Sequence, residues 1–274
     1  METGEIFIND LDYTGCTALH DSSIWGNFEI CQLLTLHGAD INVQSTSVGS
    51  TALMIAAFKN RLEIADLLMS LGADMNLRDR CGRTSLIRAI AAGHLDMIKQ
   101  MLSKGADPNI RMNDSWTALM LAASKDNLEI VRLLIAWGAD LNMRYSNLRG
   151  GSSTVLIWAS DSANRFDLSQ VLVSEGRADL NIRDSGGRTP LIKASINGDL
   201  KLVQLLVAND ADPDIRDNWQ NTALVEASRN SHLGIVNFFN KWPFFMAVIV
   251  LQELSVYQYL DFATIVELLE HLIF

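Results

Sequence analysis

The sequence predicts an all-α fold, a solenoid of about seven helix–turn–helix units with a C-terminal helical cap. Two periodic markers and one recurring triplet carry the prediction. Thr17, Thr51, Thr84, Thr117, Thr154, Thr189 and Thr222 each precede a small residue and an apolar one, at separations of 34, 33, 33, 37, 35 and 33. Asp40, Asp74, Asp107, Asp140, Asp179 and Asp212 run in parallel, 34, 33, 33, 39 and 33 apart. Four of these aspartates close a Gly-Ala-Asp triplet that begins at Gly38, Gly72, Gly105 or Gly138. A fixed period of this length is the mark of a repeat array.

Within a unit the elements follow in order. The threonine starts a short helix, where its hydroxyl caps an orphan backbone N–H; Pro190 takes the next position, where a missing N–H costs nothing. Small residues such as Ala56-Ala57 and Ala122-Ala123 let a neighbouring helix approach this first helix closely. A break at Gly26, Asn60, Gly93 or Gly198 separates it from a second helix. Leu128 to Leu134 carries apolar residues at helical spacing, and Leu133 is expected on the buried face. The glycine of Gly-Ala-Asp suits a left-handed C-cap, after which an extended turn leads out through Asn-x-Arg-Asp. No single unit of this size buries its apolar face alone; stacked neighbours do it.

These features resemble the ankyrin-repeat family. Thr17-Ala18-Leu19-His20 and Thr189-Pro190-Leu191 match its helix-start signature, and Gly-Ala-Asp-x-Asn matches its turn. The resemblance covers residues 12–242 as seven units, with residues 1–11 as a leader and residues 243–274 as a separate apolar segment. Only the first unit keeps the family histidine, His20; later units hold Met54, Ile87, Met120, Ile157, Ile192 and Val225, so apolar packing is expected to replace its hydrogen bond. The fifth unit is irregular. Its incoming loop from Tyr145 to Ser153 is long and contains Gly150-Gly151, and Arg177 interrupts its Gly-Ala-Asp.

Composition narrows the function classes. The chain has 274 residues, 49% of them hydrophobic and 20% charged, which describes a folded protein. A formal net charge of −10 repels phosphate backbones, so no nucleic acid is expected as partner. Cys16, Cys31 and Cys81 are odd in number and lack a Cys-x-x-Cys spacing, which fits a reducing compartment. An acidic N-terminus with no long apolar stretch behind it predicts no secretory signal, and the cytosol or nucleus follows as the expected location.

Catalysis requires polar groups that converge. His20, His37, His94, His232 and His271 are dispersed over different units, and no phosphate-binding loop or metal-ligand spacing occurs. His94 and His232 stand at starts of second helices and read as structural. The reading is a non-enzymatic interaction scaffold with no catalytic residues, cofactor or metal.

By resemblance, a partner protein is held on the concave face formed by turn tips and first helices. The exposed positions there hold Tyr13, Trp25, Phe58, Trp116 and Trp219, residue types that anchor interfaces. Arg78, Arg111, Arg144, Arg183 and Arg216 recur at the last turn position, Arg80, Arg83 and Arg188 sit on the tips, and Arg88 and Lys193 on first helices. Of these, Arg80, Arg83, Arg88, Arg188 and Lys193 join the aromatics as candidate contacts for a partner with an acidic segment. Aspartates beside several turn arginines favour internal pairing instead, and Glu226 and Asp21, at positions equivalent to Lys193, break the stripe. Residues 244–251 are uninterrupted apolar sequence, followed by apolar residues at helical spacing with no lysine or arginine. Three readings compete for this segment: a cap on the last repeat, a docking helix that makes the chain an adaptor for another machine such as a ubiquitin-ligase component, and membrane contact. Its short apolar run and lack of basic residues argue against the last.

Overall fold

The computed structural model describes residues 7–146, 151–176 and 178–241. The segment 243–274, with its three readings, lies outside the described residues, as do Arg177, residues 147–150 of the long loop and residues 1–6 of the leader. The fold is an all-α repeat solenoid. Its first four helix pairs are α1 (Ala18–Trp25) with α2 (Phe28–Leu36), α3 (Ala52–Phe58) with α4 (Leu62–Ser70), α5 (Ser85–Ala92) with α6 (Leu95–Ser103), and α7 (Ala118–Ser124) with α8 (Leu128–Ala136). A short antiparallel ribbon, β1 (Tyr145–Ser146) and β2 (Ser152–Ser153), precedes α9 (Val155–Ser160), a 3₁₀ turn (Ala163–Arg165) and α10 (Phe166–Ser174). Then come α11 (Pro190–Asn197), α12 (Leu200–Ala208), α13 (Ala223–Arg229) and a helical run over 233–241.

The described residues fall into two compact units, one within Met1–Leu156 and Asp167–Asp179 and one within Ile157–Phe166 and Leu180–Phe274. In the first unit the first helices form one layer, α1 against α3, α3 against α5 and α5 against α7, while α2, α4 and α6 form the second. Ala56, Ala57, Ala89, Ala122 and Ala123 are almost wholly buried in that first layer, as close helix approach requires. Ile64, Leu68, Met97, Ile98, Met101, Ile130, Val131 and Leu134 fill the space behind it. In the second unit α11 packs on α12 and α13 over Leu191, Ile192, Leu202, Val203 and Leu206. Leu133 corrects one expectation: it is half-buried, and the fully buried residue of α8 is its neighbour Leu134.

Caps start and stop the helices as expected. The hydroxyls of Thr51, Thr84, Thr117, Thr189 and Thr222 accept the N–H three residues on, at 3.3–3.5 Å. Gly38, Gly72, Gly105 and Gly138 are left-handed, with φ of 84°, 88°, 95° and 81°. In the first unit of the array, His20 Nδ1 accepts the Thr17 N–H at 3.1 Å and His20 Nε2 donates to the Ser50 carbonyl at 2.9 Å. Its imidazole thus ties one repeat to the next. In the second repeat Met54 does more than pack, since its thioether sulfur accepts the Thr51 N–H at 3.5 Å.

A side-chain ladder sets the register between turns. The N–H groups of Asp74, Asp107 and Asp140 donate to Asn42, Asn76 and Asn109 of the preceding repeat, at 2.9, 3.2 and 2.8 Å. Asp212 donates to Asn181 at 2.9 Å. Each aspartate also closes its own turn; Asp40 Oδ1 accepts the Asn42 N–H at 2.9 Å and Asp140 Oδ1 that of Asn142 at 2.8 Å. Asn9 plays the same part for Asp40, at 2.8 Å, so the end of the leader already has the form of a repeat's exit turn. Across the irregular fifth repeat the Asn142–Asp179 bond spans 37 residues, against 31 for Asn109–Asp140, and the surplus is looped out between its ends.

Leu134→Ala should cost about 2–5 kcal/mol, and Leu133→Ala no more than about 1 kcal/mol, by urea unfolding. Equal costs would refute the assigned phase of α8. Burial lowers the His20 imidazole below its ordinary 6.5, against the Ser50 and Val43 carbonyls, which favour the charged form. Folding therefore opposes protonation: the contribution of His20 is complete above about pH 6.5 and is lost as pH falls from there through the folded value. The thermal midpoint should drop between about pH 7.5 and about pH 5.5, and the drop should shrink in His20→Met, the residue of the second repeat. An undiminished drop in that variant would assign it to other groups.

Candidate functional site

Neighbouring turn tips are joined backbone to backbone. The N–H groups of Thr46, Arg80 and Asn113 donate to Gly15, Val48 and Cys81 of the preceding tip, at 3.0, 3.0 and 3.1 Å. Gly82 has a φ of 80°, and a Cβ there would sit 2.6 Å from the Asn113 backbone nitrogen, so the third and fourth tips close only over glycine. Three of the turn arginines reach across these joints. Arg78 reaches the Asn113 side chain at 2.9 Å, Arg111 the Arg144 carbonyl at 2.6 Å, and Arg183 the Asn218 side chain at 3.4 Å.

The tip and helix cations named from the sequence are engaged as well. Arg83 Nε and a terminal nitrogen of Arg88 converge on Asp79 Oδ2, at 2.9 and 2.7 Å, and the Asp79 side chain is fully buried between them. Arg88 also donates to Ser50 Oγ at 3.0 Å, which links this centre to the second repeat. Burial by itself would raise the Asp79 carboxyl, but the Arg83 N–H and guanidinium and the Arg88 charge outweigh it and hold it below the usual carboxylate range. Lys193 lies 3.1 Å from Asp161 and 3.8 Å from Asp184. Arg80 is exposed and donates to the Thr46 carbonyl. Arg188 stacks over the Trp219 ring, its guanidinium carbon 4.9 Å from the centroid.

The aromatic residues separate into two kinds. Tyr13 on the first tip is fully exposed, Trp25 at the end of α1 is 73% exposed and Trp219 on the seventh tip 61%. Phe58 at the end of α3 is 44% exposed, with Lys59 Nζ 5.9 Å from its ring. Trp116 is half-buried against Tyr145 of β1 in an edge-on contact, centroids 5.9 Å apart at 69°, and so anchors the fifth repeat's ribbon. Sequence reasoning missed Leu33 and Leu36, exposed at 56% and 78% on α2, and Leu233, exposed at 70%. Leu36 ends its helix outside the inward stripe, a signal that phase along α2 carries. Sequence reasoning favoured internal pairing of the turn arginines with aspartates such as Asp79, but did not name Arg83 and Arg88 as the partners Asp79 takes.

The described histidines serve the scaffold. His94 and His232 donate through Nε2 to the Phe58 and Ile196 carbonyls of the preceding repeat, each at 3.0 Å. Among the described residues no group of three or more His, Cys, Asp or Glu is placed to hold a metal ion, and no helix is long and apolar enough to cross a membrane.

Comparison with known families agrees with this geometry. The family model for ankyrin repeats in three copies matches residues 53–145 and 156–241, and that for ankyrin repeats in many copies matches residues 19–69. No curated protein matches the chain. Threonine caps, left-handed glycines, the aspartate–asparagine ladder and family matches on both sides of the long loop lead to one conclusion: the chain belongs to the ankyrin-repeat family.

Proposed function

We propose that this protein is a non-enzymatic scaffold that holds a partner protein on its turn tips and first helices. Ankyrin repeats are in general protein–protein interaction modules, and the coarse function follows from the family. The observation that supports the finer reading is the contrast between cations and aromatics on this surface. Arg83, Arg88 and Lys193 already face internal carboxylates, whereas Tyr13, Trp25, Phe58 and Trp219 stand exposed, with a cation over the ring of the last two. Burial of aromatic rings is the stronger source of affinity here, since an acidic partner segment would meet charges that are largely countered. Tips cross-linked by backbone hydrogen bonds hold the backbone that carries Tyr13 and Trp219, so little backbone entropy is lost on docking. Three free cysteines accord with a reducing compartment, the cytosol or nucleus.

Tyr13→Ala combined with Trp25→Ala removes two exposed rings and should leave the thermal midpoint within error of the parent. Proteins retained by the parent chain should bind this variant at least about thirtyfold more weakly, the loss expected for about 2 kcal/mol of anchor energy. A retained set identical in identity and amount, read by quantitative mass spectrometry, would refute the proposed face.

A further inference from the structure

Four tips of this chain share one design and differ in charge. Five residues before the threonine stands an aspartate whose Oδ1 closes the turn: Asp12, Asp79, Asp184 and Asp217 accept the N–H groups two and four residues on, and of these Asp12 alone is exposed to solvent. In the third repeat the other oxygen, Asp79 Oδ2, receives Arg83 and Arg88. In the sixth, the equivalent positions hold Arg188 and Lys193, with Lys193 3.8 Å from Asp184 Oδ2. In the seventh they hold Asn221 and Glu226. Both cations are gone, and a second carboxylate has taken the place of one.

The consequence is visible at Asp217. The residue is completely buried, and its Oδ2 has no hydrogen-bond partner among the described residues. Asn221 bridges the two acids: its backbone N–H donates to Asp217 Oδ1 at 2.9 Å and its side-chain amide to Glu226 Oε1 at 2.8 Å. Glu226 is itself 7% exposed. Arg229, mostly solvent-exposed, is 3.7 Å from Glu226 and is the cation recorded at this pair. A buried carboxylate with an unmet acceptor is costly, and a guanidinium is the group this chain itself places on that oxygen. Trp219, on the same turn, offers an exposed ring beside it, already stacked with Arg188.

We propose that the Asp217–Glu226 cradle of the seventh repeat is a recognition site for an arginine side chain of a protein partner, which supplies in trans the charge that Arg83 and Arg88 supply in cis to Asp79. The proposal rests on the reading that the tips hold a partner, and it adds the chemistry of one contact. Entry of the guanidinium displaces the Asn221–Glu226 bond, and Asp217 Oδ2 and the Glu226 carboxylate then share the cation.

The test uses the full chain and a capped tetra-arginine peptide, with the Trp219 indole and Asn221 side-chain amide followed by NMR. Saturable shifts at both groups are expected. Glu226→Lys installs the sixth repeat's internal cation and should weaken the peptide at least about tenfold, equivalent to about 1.4 kcal/mol. Asp217→Asn keeps the turn-closing oxygen and should weaken it similarly, while Glu63→Lys, the same charge change on α4, should not. Asn221→Arg with Glu226→Arg rebuilds the third repeat's set and should raise the thermal midpoint as it abolishes binding. Equal affinity in Glu226→Lys, or equal weakening by Glu63→Lys, would overturn the site. Because the peptide is read at Asn221 and Trp219, unchanged capture by the Tyr13/Trp25 variant would sink the wider reading and leave this one standing.

Discussion

Among the described residues no helix runs beyond nine residues, and isolated helices that short are marginal in water. Lateral burial is therefore what every other feature depends on. The alanine-lined first helices and leucine- and isoleucine-lined second helices gain stability only from neighbours on either side. Backbone groups at the helix ends cannot be left unpaired in such thin layers, which explains why threonine and left-handed glycine recur so faithfully. Side chains at the tips are held as a by-product, because turns joined to turns leave few free donors.

The period, caps and breaks were legible because they answer backbone requirements that few residue types meet. Thr84 caps and Gly93 turns for reasons that hold in any surroundings. Phase within a second helix is harder to read. Leu133 and Leu134 are chemically identical and adjacent, and only packing decides which faces inward. The replacement of His20 by methionine looked like a lost hydrogen bond, yet the Met54 sulfur lies within reach of the same N–H. Asn9 carried no signal of its own; its role appears when it is aligned with Asn42.

The candidate surface was legible in part. Tyr13 and Trp219 are exposed as expected of tip residues, since nothing in their own turns can cover a ring. Trp116 is not, because its partner Tyr145 belongs to the next repeat, and contacts between repeats are invisible to a reading made unit by unit. Charge was legible in kind, since aspartates beside the turn arginines favoured internal pairing, but packing decides which arginines each one takes. A stripe of arginines suggests a basic face, Asp79 and Asp184 absorb part of it, and at the buried Asp217 of the seventh tip that compensation is missing.

The asparagine ladder holds its pairing even where the fifth repeat carries extra chain. Every rung uses the same two residue types, so a turn makes no distinction among possible neighbours of its own kind. A gene built this way can gain, lose or lengthen a segment between rungs without redesigning the rest. Partner choice can then drift by editing single loops, while the spine that displays them stays constant.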